Sequence, residues 1–499
     1  MTDKTTAYWT HLADNLQAET RLFIDGQFCN AINGATFETI NPANGNIIAE
    51  VASGDEADIN KAVASAKAAF KSGVWSTMAP RDRMDIMERF ASLVDQHNDA
   101  FALLDSLDMG KTISETSTID IPFAAHTIKY FAETIDKIEG KVTNTEHSAL
   151  HYVRRQALGV VGCITPWNYP TMMACWKTAP ALAAGNSVVL KPAEQSPLSA
   201  LLLAKLFVEA GGPPGVFNVV NGPGEIAGKA LALHHDVAKI AFTGSNEVGK
   251  LMMIYAGQSN MKQVAAETGG KSPHIFMPDL ACMDTAVEYA VNAIYANQGE
   301  VCSAGSRLLV HQDIHDEFVE KFVSLAKQSY CIGNPLDPAT TMGPLVDKKQ
   351  QQRVQAYISA GLALGCNMPL GSAVPESLSA GNYVQPTLFT GVTNDMTIAR
   401  EEIFGPVACI IPFATASEAV ELANDTDYGL AAGIWSADLN TANIMARDID
   451  AGIVWVNCYD HGDMTQPWGG FKQSGHGRDK CFDSVLQNMQ SKSVWLNLA

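Results

Sequence analysis

The feature that most narrows the fold is an alternation that begins near position 155, where short β-branched apolar runs are separated by amphipathic stretches. The runs are "GVVGCIT" (159–165), "SVVLKP" (187–192), "VFNVV" (216–220) and "KIAFTG" (239–244). Segments such as "PLSALLLAKLFVEAG" (197–211) lie between them. A continuous apolar run of this length, alternating with helical stretches, reads as a strand buried on both faces in a parallel sheet covered by helices. The spacing of roughly 25–30 residues matches one βαβ crossover per repeat.

A second series follows: "PHIFMP" (273–278), "SRLLVH" (306–311) with the helix "DIHDEFVEKFVSLAKQ" (313–328), "VACIIPF" (407–413) and "AGIVWVN" (451–457). It predicts a second open, doubly wound α/β unit rather than an extension of the first sheet. The N-terminal third reads as helices over 55–76, 81–105 and 117–137, with a short hairpin near "RLFIDGQF" (21–28). Two strand-like stretches, 147–158 and 492–499, fit neither series. Each is an open edge unless something covers it, and pairing between subunits is one solution.

A chain of 499 residues exceeds what one simple core holds, so two or three domains are expected. The 53 acidic against 34 basic residues leave a net charge of −19, which disfavours a nucleic-acid or anionic-membrane partner. The amino terminus lacks the apolar core of a signal peptide, and no apolar run approaches the ~18 residues of a membrane helix. Ten cysteines are scattered without a CxxC pair. That spacing supports neither a metal site nor a disulfide framework, and the expected location is a reducing cytoplasm.

Three strand-to-helix turns carry ligand-binding chemistry. "NGPGEIAG" (221–228) reads Gly222-x-Gly224-x-x-x-Gly228, one residue longer than the usual dinucleotide fingerprint, and an unliganded glycine-rich turn reads the same way. "FTGSNEVGKL" (242–251) has Gly244 and Gly249-Lys250 at Walker A spacing, but Leu251 stands where a P-loop needs Ser or Thr for magnesium. What survives is a helix N-terminus able to meet an anion. In "LKPAEQSP" (190–197), Lys191 and Glu194 follow a strand, where open α/β sheets bind ligands. An acid there accepts from ribose hydroxyls and repels a 2′-phosphate.

"NQGEVCSAGSR" (297–307) sets Cys302 among small and polar residues rather than the bulky neighbours of a core cysteine. A nucleophilic thiol needs a proton manager and an oxyanion donor. Glu267, before Gly269-Gly270, and Asn168, in the proline-flanked "TPWNYP" (165–170), are candidates for those roles. Each also reads as an ordinary turn residue.

Taken together, "PWNYP", "KPAE", "FTGSNEVG", "ETGGKSP", "NQGEVCSAGSR", "EEIFGP" (401–406) and "PWGGFKQSGHGRD" (467–479) resemble, in order, the NAD(P)-dependent aldehyde dehydrogenase superfamily. The likeness spans about positions 20 to 498. The loop "NCYDHGDMTQPWGGFKQSGHGRDK" (457–480) is most similar to that of γ-glutamyl-γ-aminobutyraldehyde and related bacterial aminoaldehyde dehydrogenases.

The resemblance implies a mechanism and a set of sites. Cys302 would attack the aldehyde to give a thiohemiacetal whose oxyanion meets the Asn168 amide and the Cys302 N–H. Hydride would pass to the nicotinamide and leave a thioester, and Glu267 would activate the water that hydrolyses it. Lys191 and Glu194 would hold the adenosine ribose, with Gly224, Gly244, Ser245 and Gly249 in the phosphate loops. Glu402 would grip the nicotinamide ribose, with Phe404 and Trp167 nearby. NAD is expected over NADP.

Substrate-lining candidates are Asp120, Tyr169, Trp176, Asp460, Asp463 and Trp468, of which Asp460 and Asp463 also read as loop-capping acids. The implied substrate is γ-glutamyl-γ-aminobutyraldehyde or a related ω-aminoaldehyde of putrescine degradation. The alternative is a broad-specificity aliphatic or betaine-type aldehyde.

The implied organisation is a cofactor-binding domain over 1–138 and 158–266 and a catalytic domain over 267–477. Residues 139–157 and 478–499 would form an oligomerisation element that builds a homodimer or tetramer. Three positions depart from common family patterns: Thr268 beside the base, Asp479 where glutamate is frequent, and Gly462 where an aromatic is common. A fold retained for binding without turnover and a P-loop hydrolase are the competing readings. Intact Cys302, Glu267 and Asn168 weigh against the first and Leu251 against the second.

Overall fold

The computed structural model describes residues 4–498; positions 1–3 and 499, the tips of the expected first and last segments, lie outside it. Two large sheets dominate. The first has eight strands in the order Gly475–His476, Gln263–Glu267, Val237–Thr243, Val160–Ile164, Ser187–Lys191, Phe217–Val219, Leu22–Ile24 and Gln27–Cys29. Its five central strands are parallel; four of them are the predicted apolar runs, and Gln263–Glu267 is an addition to the sequence reading. The N-terminal hairpin closes one edge antiparallel, through Phe23 opposite Val219.

The second sheet has seven strands, ordered Asn367–Leu370, Thr387–Thr390, Val407–Phe413, Arg307–His311, Pro273–Phe276, Ala431–Trp435 and Ile453–Val456. The strands at 387–390 and 431–435 are additions to the sequence reading. Gly475–His476, although late in the chain, returns to pair with Gln263–Glu267 in the first sheet.

The strand Val160–Ile164 has Ser187–Lys191 on one side and Val237–Thr243 on the other, so chain order reverses there. Loops at the carboxyl ends of strands diverge at such a point and open a crevice. The loop bearing Trp167, Asn168 and Tyr169 leaves from this strand. The second sheet meets the crevice with its opposite edge: Cys302, Phe404 and Leu430 precede the strands that begin at 307, 407 and 431.

Two predicted helices are interrupted. The 81–105 stretch is two helices, Pro80–Gln96 and Asn98–Met109, because His97 leaves helical geometry (φ −96°, ψ 21°). The 117–137 stretch opens with a widened π-turn, Thr116–Asp120, before the helix Ile121–Thr134. Pro122 offers no N–H to the preceding turn, and the loosened turn directs Asp120 inward.

The two stretches expected as open edges pair with each other. Ala149–Ala157 and Met489–Asn497 run antiparallel over nine residues, and Lys141–Thr143 lies on the other side. The outer strands of this small sheet stay uncovered, with Val142, Trp495, Leu496 and Leu498 exposed. Asn186 ties it to the first sheet. Its Oδ1 accepts from the N–H groups of Leu158 (2.7 Å) and Gly159 (3.0 Å), and its Nδ2 donates to the carbonyls of Ala181 (3.0 Å) and Asn488 (2.9 Å).

Asn186 is fully buried, so Asn186→Ala takes this partner from the Leu158 and Gly159 N–H groups and the Asn488 carbonyl, while the Ala181 carbonyl keeps the Asn186 N–H. The expected loss is about 3 kcal/mol in denaturant unfolding; a midpoint indistinguishable from the parent would remove this tether from the account.

Candidate active site

The cleft between the sheets has a volume of about 930 Å³ and is lined by Asn168, Glu267 and Cys302 together. The loop holding Cys302 is fixed by backbone that few sequences tolerate. Asn297, Gln298 and Gly299 all adopt positive φ (47°, 56° and 72°). A Cβ on Gly299 would lie 2.3 Å from the Gly405 carbonyl oxygen, so glycine is required where this loop meets the 401–406 segment. Asn168 laces the loop down: its Nδ2 donates to the Glu300 carbonyl (2.8 Å), and its own carbonyl accepts from Asn297 Nδ2 (3.0 Å). One Asn168 amide hydrogen remains uncommitted.

Glu267 ends the strand Gln263–Glu267 with its carboxyl buried, and neither oxygen holds a well-formed hydrogen bond. Burial and the neighbouring Asp479 hold this carboxyl well above the usual range, against the opposing pull of Lys177 and Arg478. Lys177, itself buried, donates to Asp479 Oδ2 at 2.6 Å. Sequence reasoning missed Lys177. The available signal was one cation in a helix, Pro170–Ala183, that is otherwise apolar or small. Thr268, beside the base, points away from it and donates to the Gln473 carbonyl (2.7 Å).

Toward one end, Trp167, Gly244, Ser245, Glu402 and Phe404, the residues expected to meet a cofactor, line the cleft. Trp167 and Phe404 meet edge to face, with centroids 5.2 Å apart. Ser245 caps the helix Asn246–Gln258 by accepting from the Val248 N–H. Glu402 Oε1 accepts from the Gly270 N–H (3.2 Å), and burial pushes its carboxyl up to about 7.

Lys191, Glu194 and Gly224 form a neighbouring cluster outside this lining. Lys191 Nζ and the Gly224 N–H both donate to the Glu194 carboxylate, at 2.8 and 3.1 Å. Gly249 does not face the cleft. Its N–H is spent on the Ser245 carbonyl, and a Cβ there would meet the Thr268 methyl at 2.8 Å. It is a packing glycine that brings helix and strand together, not a phosphate contact.

Toward the other end, Asp120, Tyr169, Trp176, Asp460 and Trp468, the residues expected to meet a substrate, line the cleft. Asp120 is committed to a buried ion pair with Lys111 Nζ, at 2.8 Å. Asp463 is a correction: it is exposed, lies outside the lining, and accepts from the N–H and hydroxyl of Thr465 (2.8 and 2.6 Å). A carboxylate spent on capping its own loop has no inward role. Lys111, Phe123 and Lys480 also line this end and were missed, because nothing local in the sequence places them there.

The sequence matches the Aldehyde dehydrogenase family over residues 29–494, and the chain belongs to that family. It is 44% identical to an Escherichia coli (strain K12) protein named NADP/NAD-dependent aldehyde dehydrogenase PuuC, over 99% of this chain and 98% of that one. Among solved structures, a γ-glutamyl-γ-aminobutyraldehyde dehydrogenase from Burkholderia cenocepacia J2315 is 51% identical with a TM-score of 0.97. An indole-3-acetaldehyde dehydrogenase of P. syringae, in complex with NAD+ and IAA, is 50% identical with a TM-score of 0.97. Each match covers 99% of this chain and 100% of the other.

The chain is therefore an aldehyde dehydrogenase, an oxidoreductase that works with a nicotinamide dinucleotide. The residues present fit such a cofactor. Glu402 leaves one carboxyl oxygen without a protein donor, Ser245 opens a helix N-terminus, and the Glu194 side chain is 40% exposed.

Burial pushes the Cys302 thiol up to about 12, with the acids Glu402, Glu267 and Asp460 adding to the effect. Without cofactor the thiol is therefore protonated at neutral pH. Exposed Cys282, held below the usual thiol range by its hydrogen bond with Thr285, is its internal contrast. In cofactor-free protein, iodoacetamide should label Cys282 first at pH 7. Labelling of Cys302 should rise about tenfold per pH unit through pH 10 without levelling. A plateau in Cys302 labelling below pH 9, by peptide mass mapping, would contradict this electrostatic picture.

Proposed function

We propose that this enzyme oxidises γ-glutamyl-γ-aminobutyraldehyde or a related ω-aminoaldehyde of putrescine degradation to its carboxylic acid, with Cys302 as nucleophile. The observation that carries the mechanism is the convergence of a thiol, a carboxyl and an amide donor, Cys302, Glu267 and Asn168, on one cleft. The Cys302 S–H proton leaves to water in the open cleft, and Sγ adds to the aldehyde carbon. The oxyanion is held by the free hydrogen of the Asn168 amide and the Cys302 N–H. When bound beside Trp167, Glu402 and Phe404, NAD(P) would supply the hydride acceptor for the oxidation.

Glu267 manages the protons. Kept neutral by burial in the resting site, it becomes a base once it can pass its proton outward, and it then activates the water that cleaves the thioester. The buried Lys177–Asp479 pair beside it is the path for that proton. Asp479, one methylene shorter than glutamate, still reaches Lys177 at 2.6 Å.

Relatives of nearly equal identity bear names for different aldehydes, so identity alone does not choose the substrate. Asp460 is a carboxylate open to the cleft, and Gly462 lines the same entrance without a side chain to narrow it. Both features support a polar substrate over a plain aliphatic one. Lys191 and Glu194 position the adenosine ribose, with Glu194 favouring NAD. The uncovered outer strands of the small sheet, with Trp495 and Leu496 exposed, support assembly into a homodimer or tetramer. Ten free cysteines support a reducing cytoplasm.

Glu267→Gln should stall deacylation, so that acyl-enzyme accumulates as added mass on Cys302, while Cys302→Ala gives no adduct and no NADH. Loss at the acylation step with no trapped acyl species would move Glu267 from water activation to thiol activation. Glu194→Ser should lower kcat/KM for NAD about tenfold and narrow the NAD/NADP ratio, by loss of a ribose acceptor and of repulsion toward the 2′-phosphate. An unchanged ratio would place cofactor choice elsewhere.

A further inference from the structure

The substrate end of the cleft holds one cation with no partner. Lys480 is 4% exposed and lines the cleft. Its Nζ stands over three aromatic rings that line the same space: Phe123 at 5.8 Å, Trp176 at 5.7 Å and Trp468 at 5.5 Å from the centroids. Among the described residues its ammonium has neither a hydrogen bond nor an ion pair within 4.0 Å. The backbone holds it there at a cost, since Lys480 and Cys481 both adopt positive φ (57° and 39°), and the Cys481 N–H is tied to the Met464 carbonyl at 2.7 Å.

Asp460 is the matching anion. It lines the same end, also at positive φ (55°), and no described residue donates a hydrogen bond to its carboxylate. It is exposed to the open cleft, and the protein packed around it raises its carboxyl to about 6, with Lys480 and Lys111 opposing. The two charges influence each other without closing into a pair. The other charged pair of this region, Lys111–Asp120, is closed and unavailable.

An ammonium in an aromatic cage keeps part of its lost hydration through the ring faces, but it still lacks an acceptor. An unpaired cation and an unpaired anion in one pocket are complementary to a ligand carrying both charges. We infer that Lys480 and Asp460 read a zwitterionic α-amino carboxylate at the far end of the aldehyde, Lys480 taking the carboxylate and Asp460 the ammonium. A simple ω-amine satisfies Asp460 and meets Lys480 as a like charge. A neutral aldehyde satisfies neither. Within the substrate class proposed above, on which this inference rests, the γ-glutamyl form is thereby preferred to free aminoaldehydes.

The test is steady-state NADH formation by the full chain on three aldehydes of matched length: γ-glutamyl-γ-aminobutyraldehyde, an ω-aminoaldehyde and an uncharged aliphatic aldehyde. The parent protein should prefer the zwitterion. In Lys480→Met, the kcat/KM ratio of zwitterion to uncharged aldehyde should fall about tenfold, through KM rather than kcat, while the ratio of ω-amine to uncharged aldehyde rises. Lys480→Arg should restore the zwitterion ratio to within threefold of the parent. In Asp460→Asn, both charged substrates should lose against the uncharged one.

A zwitterion ratio that stays within threefold of the parent in Lys480→Met overturns the inference. So does a fall that Lys480→Arg fails to restore, which would mark a packing role. A parent protein that prefers the uncharged aldehyde to both charged ones overturns the broader substrate reading instead, so the two failures are distinguishable.

Discussion

Removal of charge from water governs this site. Cys302, Glu267 and Glu402 all sit where burial disfavours their ionised forms, and all three have raised pKa values for that first reason. A cleft that ionised these groups at rest would hold three like charges in one desolvated space, at a cost of several kcal/mol for each unpaired ion. Burial instead favours the protonated forms of these groups at rest. A closed charge pair, Lys177 with Asp479, is placed next to Glu267 and acts on its carboxyl from both directions. The rest of the architecture keeps these groups dry and in register.

That register comes from the facing of two sheets. The first presents the carboxyl ends of its strands, where the reversal of chain order opens a crevice for the turn at Gly244 and Ser245 and for the loop of Asn168. The second presents its amino edge, from which the loops of Cys302, Glu402 and Leu430 project. Side-chain bonds across the gap lock the two together: Asn168 to the Glu300 carbonyl, Asn297 to the Asn168 carbonyl, and Glu402 to the Gly270 N–H. Asn168 and Glu267 belong to the first sheet and Cys302 to the second, so the bonds of Asn168 to the 297–300 loop hold Cys302 in place against both.

The substrate end follows a different electrostatic rule. Here charges are caged by aromatic rings or closed into pairs, and two of opposite sign are left open. Trp176 and Trp468 touch each other, with centroids 5.5 Å apart, and both face Lys480. The same aromatic wall is thus both an apolar face of the cleft and the seat of a cation.

Much of this was legible from sequence alone, because it is written in local pattern. Continuous β-branched runs, glycine-rich turns and amphipathic helices depend on neighbours a few residues away, and from these came most of the central strands of the two large sheets, though not those at 263–267, 387–390 and 431–435. The small residues around Cys302 and the prolines around Asn168 likewise advertised constrained loops. The misses have a common physical origin. The strands 149–157 and 489–497 look like open edges until the chain closes one upon the other across more than three hundred positions (a pairing set by ladder hydrogen bonds, which carry no residue code). Asp463 looks like Asp460 in a loop of acids, and only the backbone path turns one into the cleft and the other onto its own Thr465. Gly249 has phosphate-loop spacing, yet its N–H is consumed within the helix. Lys177, Lys111 and Lys480 are ordinary lysines in sequence. Their buried position and partners exist only after folding, because the energy of a charge is decided by everything around it in space and not by its neighbours along the chain.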